Sequence, residues 1–263
     1  MNNKEKFVRF LLESGALTFG DFTLKSGRKS PYMINTGKLD SGIALSRLGC
    51  FYAKTIYEKM QLGIIPDDVS ILFGSAYKGI PLAASASIAL AAAFDINLGY
   101  AFNRKEAKDH GEGGVFVGKK PGPGDKILII DDVMTAGTAL RDVVELLSEG
   151  APEARVVGSI IAVDRKEFGL NKKLSAVAEA QYQLGFPIIP IIDIDEIVNA
   201  LKSGGIAAED PEESEDRSAC SVTLDFFGRD FEKITTALPT EEQIAAIEKY
   251  LEEYRPVPPG AGK

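Results

Sequence analysis

The sequence has little cysteine, no long hydrophobic run and no excess of positive charge. Its two cysteines, Cys50 and Cys220, lie far apart and lack the spacing of metal ligands, a pattern typical of a reduced, cytoplasmic protein. The most apolar stretch, residues 80–94, is mostly alanine and serine and too short to span a bilayer, so we interpret it as a buried helix. The N-terminus lacks the apolar core of a signal peptide. We therefore expect neither secretion nor membrane insertion.

The negative charge of the chain is concentrated in one segment. The net charge is −8, and residues 203–240 contain nine acidic and three basic residues, which leaves −2 for the other 225 residues. Such a near-neutral body has no broad basic face, so nucleic acid is not an expected partner. We interpret residues 203–239 as an acidic insert, either a hairpin with a mobile tip or a regulatory surface, and favour the hairpin.

Strand and helix patterns alternate along most of the chain. After a helix over residues 4–13 and two short strands (19–24 and 31–35), Ser41 caps a long helix ending near Met60. Strands are then predicted at residues 69–73, 98–102, 126–130, 155–163 and 187–193. Helices are predicted at residues 80–93, 172–184 and 194–202, and another helix follows the strand at 126–130 and ends near residue 149. A capping box, Thr240 to Gln243, opens a final helix ending near residue 254. This order predicts an α/β fold with a parallel-sheet core flanked by helices.

The most informative motif, residues 127–139, joins an apolar strand, an acid doublet and a glycine-containing helix start. Backbone amides of residues 135–138, at a helix N-terminus, can bind a phosphate dianion, and Gly137 keeps Cβ atoms out of the way. Asp131 and Asp132 can accept hydrogen bonds from sugar hydroxyls beside that phosphate. The motif therefore predicts a ribose-5-phosphate site, the alternative being an ordinary strand–turn–helix with incidental acids.

A second strand end, residues 73–79, has small residues followed by Lys78 and a helix start. Free backbone amides and a lysine suit another anion, and pyrophosphate is the obvious candidate. The alternative is a surface lysine at the start of a helix, because turns flanked by glycine are common.

Residues 103–126 lack convincing periodicity and are rich in glycine, so we predict one long loop. Its head carries three cations and the only histidine of the chain: Arg104, Lys105, Lys108 and His110. A run of charges is usually a solvated face. Here the run directly follows a strand end beside two predicted anion sites, which favours a cationic lid that closes over pyrophosphate and excludes water.

These motifs resemble those of one enzyme family. Residues 127–139 are similar to the phosphoribosyl pyrophosphate (PRPP) signature of type I phosphoribosyltransferases, and residues 22–32 and 103–114 resemble orotate phosphoribosyltransferases rather than their purine relatives. The resemblance runs from about residue 4 to 202 and resumes weakly in the last helix. It implies a type I phosphoribosyltransferase domain over residues 1–202 with a small N-terminal hood formed largely by residues 1–40. Residues 240–263 would be a C-terminal helix on the core and a loose tail.

The resemblance also implies roles for individual residues. PRPP would be contacted by Lys25, Tyr77 and Lys78, and a cis peptide bond is expected between Ala76 and Tyr77. Its pyrophosphate would be clamped, partly across a homodimer interface, by Arg104, Lys105, Lys108 and His110. Its ribose and 5-phosphate would be held by Asp131, Asp132, Val133, Met134, Thr135, Ala136, Gly137, Thr138 and Ala139. Orotate would contact the backbone of Met33 and Ile34, where the family often has aromatic residues, and through its carboxylate Thr135 and Arg165. The alternative for Arg165 is a solvent-facing arginine at a strand end.

The reaction implied by the resemblance joins orotate and PRPP into orotidine 5′-monophosphate with release of pyrophosphate. The residues expected to act in catalysis are Lys108, His110, Asp131 and Asp132. Mg²⁺ would be the cofactor, bound through substrate and water rather than by a set of protein ligands.

Two other functions remain open from the sequence. One is a phosphoribosyltransferase for a purine base, which shares the signature but does not account for the lid cations or Arg165. The other is a non-catalytic, PRPP-sensing regulator that binds nucleic acid, which the near-neutral body disfavours.

Overall fold

A six-stranded sheet with one antiparallel edge lies between two layers of helices. The computed structural model describes residues 2–24, 27–108, 114–134, 137–204, 206 and 238–256, with the backbone alone at 105–108. Its strands are β1 (Leu17–Thr23), β2 (Lys29–Ile34), β3 (Ile71–Gly74), β4 (Gly99–Lys108), β5 (Gly114–Gly118), β6 (Lys126–Met134), β7 (Arg155–Asp164) and β8 (Ile188–Asp193). Its helices are α1 (Asn3–Glu13), α2 (Gly42–Gln61), α3 (Gly79–Phe94), α4 (Thr138–Gly150), α5 (Ala176–Leu184), α6 (Ile194–Lys202) and α7 (Glu241–Tyr254), with a 3₁₀ turn at Thr36–Lys38.

The sheet order is β5-β4-β3-β6-β7-β8, and every neighbouring pair except β4–β5 is parallel. The predicted parallel core flanked by helices is confirmed. The chain moves outward from β3 to β4 on one side and from β6 to β7 and β8 on the other. The order therefore changes direction between β3 and β6, and ligands of open α/β sheets bind beyond the carboxyl ends of the strands at such a point.

Both faces of the sheet are buried, as alternate residues of β6 show. Leu128 and Ile130 pack into a core with α2 and α3, whereas Ile127 and Ile129 pack into a second core with α4 and α5. Strand residues point alternately to the two faces, so an apolar run such as residues 127–130 fits a strand covered on both sides. The removal of this apolar surface from water fixes the frame that carries the site.

The helix starts follow the sequence closely. Ser41 caps α2 by accepting a hydrogen bond from the Ala44 amide (3.1 Å). Thr240 and Gln243 form the predicted capping box at the start of α7. Side-chain acceptors at these positions satisfy amides that have no partner within the helix.

The prediction of one long loop over residues 103–126 is wrong. β4 continues to Lys108, and β5 pairs with it antiparallel, with Asn103 opposite Phe116. The ring of Phe116 packs edge-on against Phe73 at 5.9 Å. Because β5 is a five-residue strand at the sheet edge, its sequence is too short to show periodicity, and pairing with β4 decides its conformation.

The predicted helix over residues 172–184 is also shorter than expected. Helix α5 begins only at Ala176, with Ser175 as its cap. The side chain of Asn171 accepts hydrogen bonds from the amides of Lys173 (2.8 Å) and Leu174 (3.3 Å). Such a local turn competes with helix formation.

The N-terminal part forms a small unit beside the sheet. β1 and β2 make a separate antiparallel pair, α1 packs against β1 and α6, and α7 packs against β2. Residues 207–237, which make up most of the acidic insert, lie outside the described residues. None of the described helices is long and apolar enough to cross a membrane.

Candidate active site

The loop between β3 and α3 is held in a tight turn at the carboxyl end of β3. A Cβ atom on Gly74 would lie 2.0 Å from the carbonyl oxygen of Gly79, so the two ends of the loop touch. The Ala76 amide donates a hydrogen bond to Asn103 Oδ1 of β4 (3.0 Å). The peptide bond between Ala76 and Tyr77 is cis, as predicted. This turn presents the exposed side chains of Tyr77 and Lys78 at the end of the sheet where the parallel strands have their carboxyl ends.

The acid doublet lies within β6 rather than after it. The sequence suggested that the strand ends at Ile130, but pairing with β7 continues to Met134, which lies opposite Asp164. The partner strand β7 continues to Asp164 and supplies hydrogen bonds that the apolar run alone does not reveal. Asp131 and Asp132 are therefore held on the extended backbone of a paired strand.

Asp132 connects three parts of the molecule. Its Oδ2 accepts hydrogen bonds from Thr36 Oγ1 and from Lys78 Nζ, both at 2.7 Å. Thr36 belongs to the N-terminal unit, and Lys78 belongs to the loop after β3. The carboxylate of Asp132 thus joins both of them to β6, across the point where the strand order changes direction.

Asp131, the other member of the doublet, is partly buried. Its carbonyl oxygen accepts a hydrogen bond from the hydroxyl of Tyr52 on α2 (2.7 Å), and its Oδ1 accepts one from the Asp132 amide (2.9 Å). Burial, and then the neighbouring charge of Asp132, raise the pKa of Asp131 to about 6. This carboxyl group is therefore harder to ionise than a free aspartate, and a positive charge placed beside it would favour its ionised form.

The predicted phosphate pocket lies at the start of α4. Gly137 precedes the helix with a φ of +72°, a conformation that glycine adopts without strain, and Thr138 and Ala139 are exposed in the first turn. Met134 is buried in the core with α4 and α5, and Val133 is partly buried on the other face. Thr135 and Ala136 lie outside the described residues.

Of the four predicted lid residues, the structure describes the side chain of Arg104. Arg104 is half-buried on β4. Lys105 and Lys108 lie on the same strand, but their side chains, together with Lys25 and His110, fall outside the described residues. The backbone does show that β4 and β5 form one antiparallel arm, with Lys108 opposite Gly114.

Arg165 is buried, so the alternative of a solvent-facing arginine is wrong. It follows β7, whose last residue lies opposite Met134, and its side chain is turned inward. Its Nε donates to Glu167 Oε1 (2.7 Å) and its Nη2 to Ser30 Oγ (3.2 Å). The guanidinium carbon lies 4.3 Å from the ring centroid of Tyr32. A buried cation fixed on several sides is suited to recognise a carboxylate.

The two residues predicted to contact orotate through their backbone lie on β2. Met33 pairs with Thr18, and Ile34 pairs with Leu17 at the start of β1. Ile34 is buried in the core with α1 and α2, whereas Met33 is half-buried. Both are thus in the N-terminal unit that Thr36 joins to Asp132.

Four contributing residues were not identified from the sequence. Thr36 and Tyr52 hold the acid doublet, whereas Glu167 and Tyr250 hold Arg165. Only Glu167 had a usable clue, because an acid two residues from a functional arginine is a candidate counter-ion. The other three reach the site through long-range packing.

The described residues include no cluster of three or more His, Cys, Asp and Glu side chains arranged to hold a metal ion. The donor set beside the predicted sugar pocket is the acid doublet, one member of which is paired with Lys78. This set suits an ion that is held mainly by substrate phosphates and water, as Mg²⁺ commonly is.

Comparison with known proteins gives a consistent result. Residues 46–178 match the phosphoribosyl transferase domain. The orotate phosphoribosyltransferase of Bifidobacterium adolescentis is 50% identical over 195 residues, which are 74% of this chain and 84% of that protein. The enzyme of Pseudomonas aeruginosa is 50% identical over 195 residues, or 74% and 86% of the two chains. A crystal structure of the Francisella tularensis enzyme aligns with a TM-score of 0.70 at 32% identity, covering 95% of this chain and 98% of that one.

Proposed function

This chain belongs to the orotate phosphoribosyltransferases, and we propose that it transfers the 5-phosphoribosyl group of PRPP to orotate, releasing pyrophosphate. The observation that carries the proposal is the ion pair between Lys78 and Asp132, which lies where the strand order changes direction between β3 and β6. A cation for the leaving group and a carboxylate for the sugar thus stand next to each other. Arg165, at the end of the neighbouring strand, supplies a partner for the carboxylate of orotate.

The sugar is assigned to β6 and the start of α4. As the bond from C1 to the pyrophosphate oxygen breaks, positive charge develops on the ribose. The ring nitrogen of orotate bonds to C1 and releases its N–H proton to water. Asp131 and Asp132 orient the ribose hydroxyls and stabilise that charge. The 5-phosphate is assigned to the amides around Gly137 and Thr138, where the helix dipole favours an anion.

The pyrophosphate is assigned to Lys78 and the arm formed by β4 and β5. Negative charge grows on this group as it leaves, so cations around it lower the barrier. Lys108 is our first choice for neutralising this charge and His110 for donating a proton, with Arg104 and Lys105 as further contacts. Because no covalent bond to the enzyme is needed, the work of these residues is positioning and electrostatic stabilisation.

Mg²⁺ is the proposed cofactor, and when bound it would neutralise part of the pyrophosphate charge. The acid doublet is the part of this chain assigned to hold it, through the ribose hydroxyls and water. We also assign the protein to the cytoplasm, which its low cysteine content supports, and to a homodimer in which the lid of one subunit serves the other's site.

The direct test is a purified-enzyme assay with orotate, PRPP and Mg²⁺. We expect loss of orotate absorbance with equimolar release of pyrophosphate, and no pyrophosphate release when adenine replaces orotate. Turnover with adenine instead of orotate would identify a purine enzyme. Salt-sensitive RNA or DNA binding without turnover would support the regulator.

A further inference from the structure

The carboxylate of Glu167 ties together three separate parts of the chain. Its Oε1 accepts hydrogen bonds from Arg165 Nε (2.7 Å) and from the Tyr250 hydroxyl (2.9 Å). Its Oε2 pairs with Arg28 Nη1 at 3.1 Å. Arg28 precedes β2, Arg165 follows β7, and Tyr250 lies on α7. One buried carboxylate thus holds the Nε–Nη2 edge of the Arg165 guanidinium and links it to Arg28 and Tyr250.

Helix α7 makes a second connection to the same segment. The Phe168 amide donates a hydrogen bond to the Tyr254 carbonyl oxygen (2.8 Å) at the end of the helix. The Arg28 guanidinium lies 5.4 Å from the Tyr254 ring centroid. The ring of Tyr250 packs edge-on against Tyr32, which in turn lies under the Arg165 guanidinium. The loop that carries Arg165 is therefore clamped between α7 and β2.

The charge of this cluster favours an added anion. Arg28 and Arg165 carry two positive charges and Glu167 carries one negative charge, and both Arg165 and Glu167 are more than 90% buried. Burial and then the charge of Glu167 raise the pKa of Tyr250 to about 12, so its hydroxyl stays neutral and remains a donor. A ligand carboxylate would complete the neutralisation of a buried site that holds one excess positive charge.

Resting on the proposed function, we propose that Glu167, Tyr250 and Arg28 are positioning residues that set Arg165 for the carboxylate of orotate. The described hydrogen bonds of Arg165 use Nε and Nη2, so its Nη1 is the atom assigned to the substrate. The C-terminal helix therefore takes part in base recognition without contacting the base.

Tyr250→Phe tests this assignment, because it removes the hydroxyl and keeps the ring. We expect the KM for orotate to rise about tenfold, since hydrogen bonds to charged groups are the stronger ones, while the KM for PRPP and kcat stay within twofold. Inhibition by uracil, which has the same ring without the carboxylate, should be unchanged. The matched control is Tyr182→Phe, which removes the hydroxyl of a tyrosine on α5 that is 86% exposed. This variant should behave as wild type.

Two further variants show whether the effect passes through Arg165. In an Arg165→Lys background, Tyr250→Phe should have no further effect on the orotate KM. Arg28→Lys, which keeps the positive charge but removes the planar guanidinium, should raise the orotate KM at least threefold without changing that of PRPP. An unchanged orotate KM in both Tyr250→Phe and Arg28→Lys, or equal losses for orotate and uracil, overturns the inference. A wild-type enzyme that does not use orotate would instead overturn the proposed function.

Discussion

The ammonium group of Lys78 lies 2.7 Å from Oδ2 of Asp132, so an ion pair spans the gap between the loop after β3 and strand β6. The Lys78 side chain is 61% exposed and that of Asp132 is 13% exposed. Ion pairs with one exposed partner contribute little to folding, typically up to about 1 kcal/mol. The pair is therefore better understood as holding two charges in place for a ligand than as a source of stability.

Replacement of Lys78 should separate function from stability. For Lys78→Met we expect kcat/KM for PRPP to fall about 100-fold or more, the usual cost of losing one donor to a developing anion. The free energy of unfolding should change by less than about 1 kcal/mol. Steady-state kinetics and urea unfolding measure the two quantities.

A second lysine–aspartate pair provides the control. Lys119 Nζ lies 2.8 Å from Oδ1 of Asp125, which directly precedes β6 and so lies at the amino end of that strand, away from the site. Lys119→Met should have a similar effect on unfolding and leave the kinetics unchanged. Equal kinetic losses in the two variants would show that Lys78 has no special role.

Asp131 should make stability depend on pH. Its pKa in the fold is raised to about 6 from the usual 3.8, so the carboxyl group favours folding at low pH, and this contribution is lost as the pH rises through about 6. For Asp131→Asn we expect the unfolding free energy, relative to wild type, to be higher by about 2–3 kcal/mol at pH 8 than at pH 4. Urea unfolding of the ligand-free protein at both pH values measures the difference, and a pH-independent difference contradicts the assignment.

The same carboxyl group should also shape the activity profile. If the ionised form of Asp131 stabilises the ribose, kcat/KM for PRPP falls below about pH 6, because this parameter reports groups of the free enzyme. Asp131→Asn should be much less active and should lose this acidic limb. An acidic limb of the same midpoint in Asp131→Asn would assign it to another group.

Lys108 tests the proposed lid. We expect Lys108→Ala to lower turnover by about two orders of magnitude or more, because it removes a positive charge from the leaving group. The circular dichroism spectrum should match that of the wild type. Lys120→Ala, which removes an exposed lysine beyond β5, should keep full activity. Wild-type turnover in Lys108→Ala would remove this residue from the mechanism.

Gly74 tests the close contact in the loop after β3. A Cβ atom there would lie 2.0 Å from the carbonyl oxygen of Gly79, so Gly74→Ala must move backbone. We expect a loss of unfolding free energy of about 1–3 kcal/mol and a raised KM for PRPP. Gly42→Ala has open space around it in the first turn of α2 and should leave stability unchanged or raise it by up to about 1 kcal/mol. Thermal unfolding and PRPP titrations compare the two variants, and an unaltered PRPP KM in Gly74→Ala would show that the loop tolerates the shift.

Local patterns were sufficient where neighbouring residues decide the structure. The caps at Ser41 and Thr240, the parallel core and the buried run in β6 were predictable because capping and burial are encoded within a few residues. The end of β6 and the whole of strand β5 were not predictable from the sequence. Their conformation depends on hydrogen bonds to a partner strand, which no short window contains.

The sequence by itself determined the parallel sheet and the reactive groups at the ends of two of its strands. One strand leads into the acid doublet and a helix that starts at a glycine, and the other is followed by Lys78. Only the tertiary structure decided how these groups are used, because it brings Lys78 and Thr36 to one carboxylate and encloses Arg165 with Glu167 and Tyr250. The physical reason is distance along the chain. Lys78 and Thr36 lie 54 and 96 positions from Asp132 along the chain, and Tyr250 lies 83 positions from Glu167. The members of each pair become neighbours only after the core has packed.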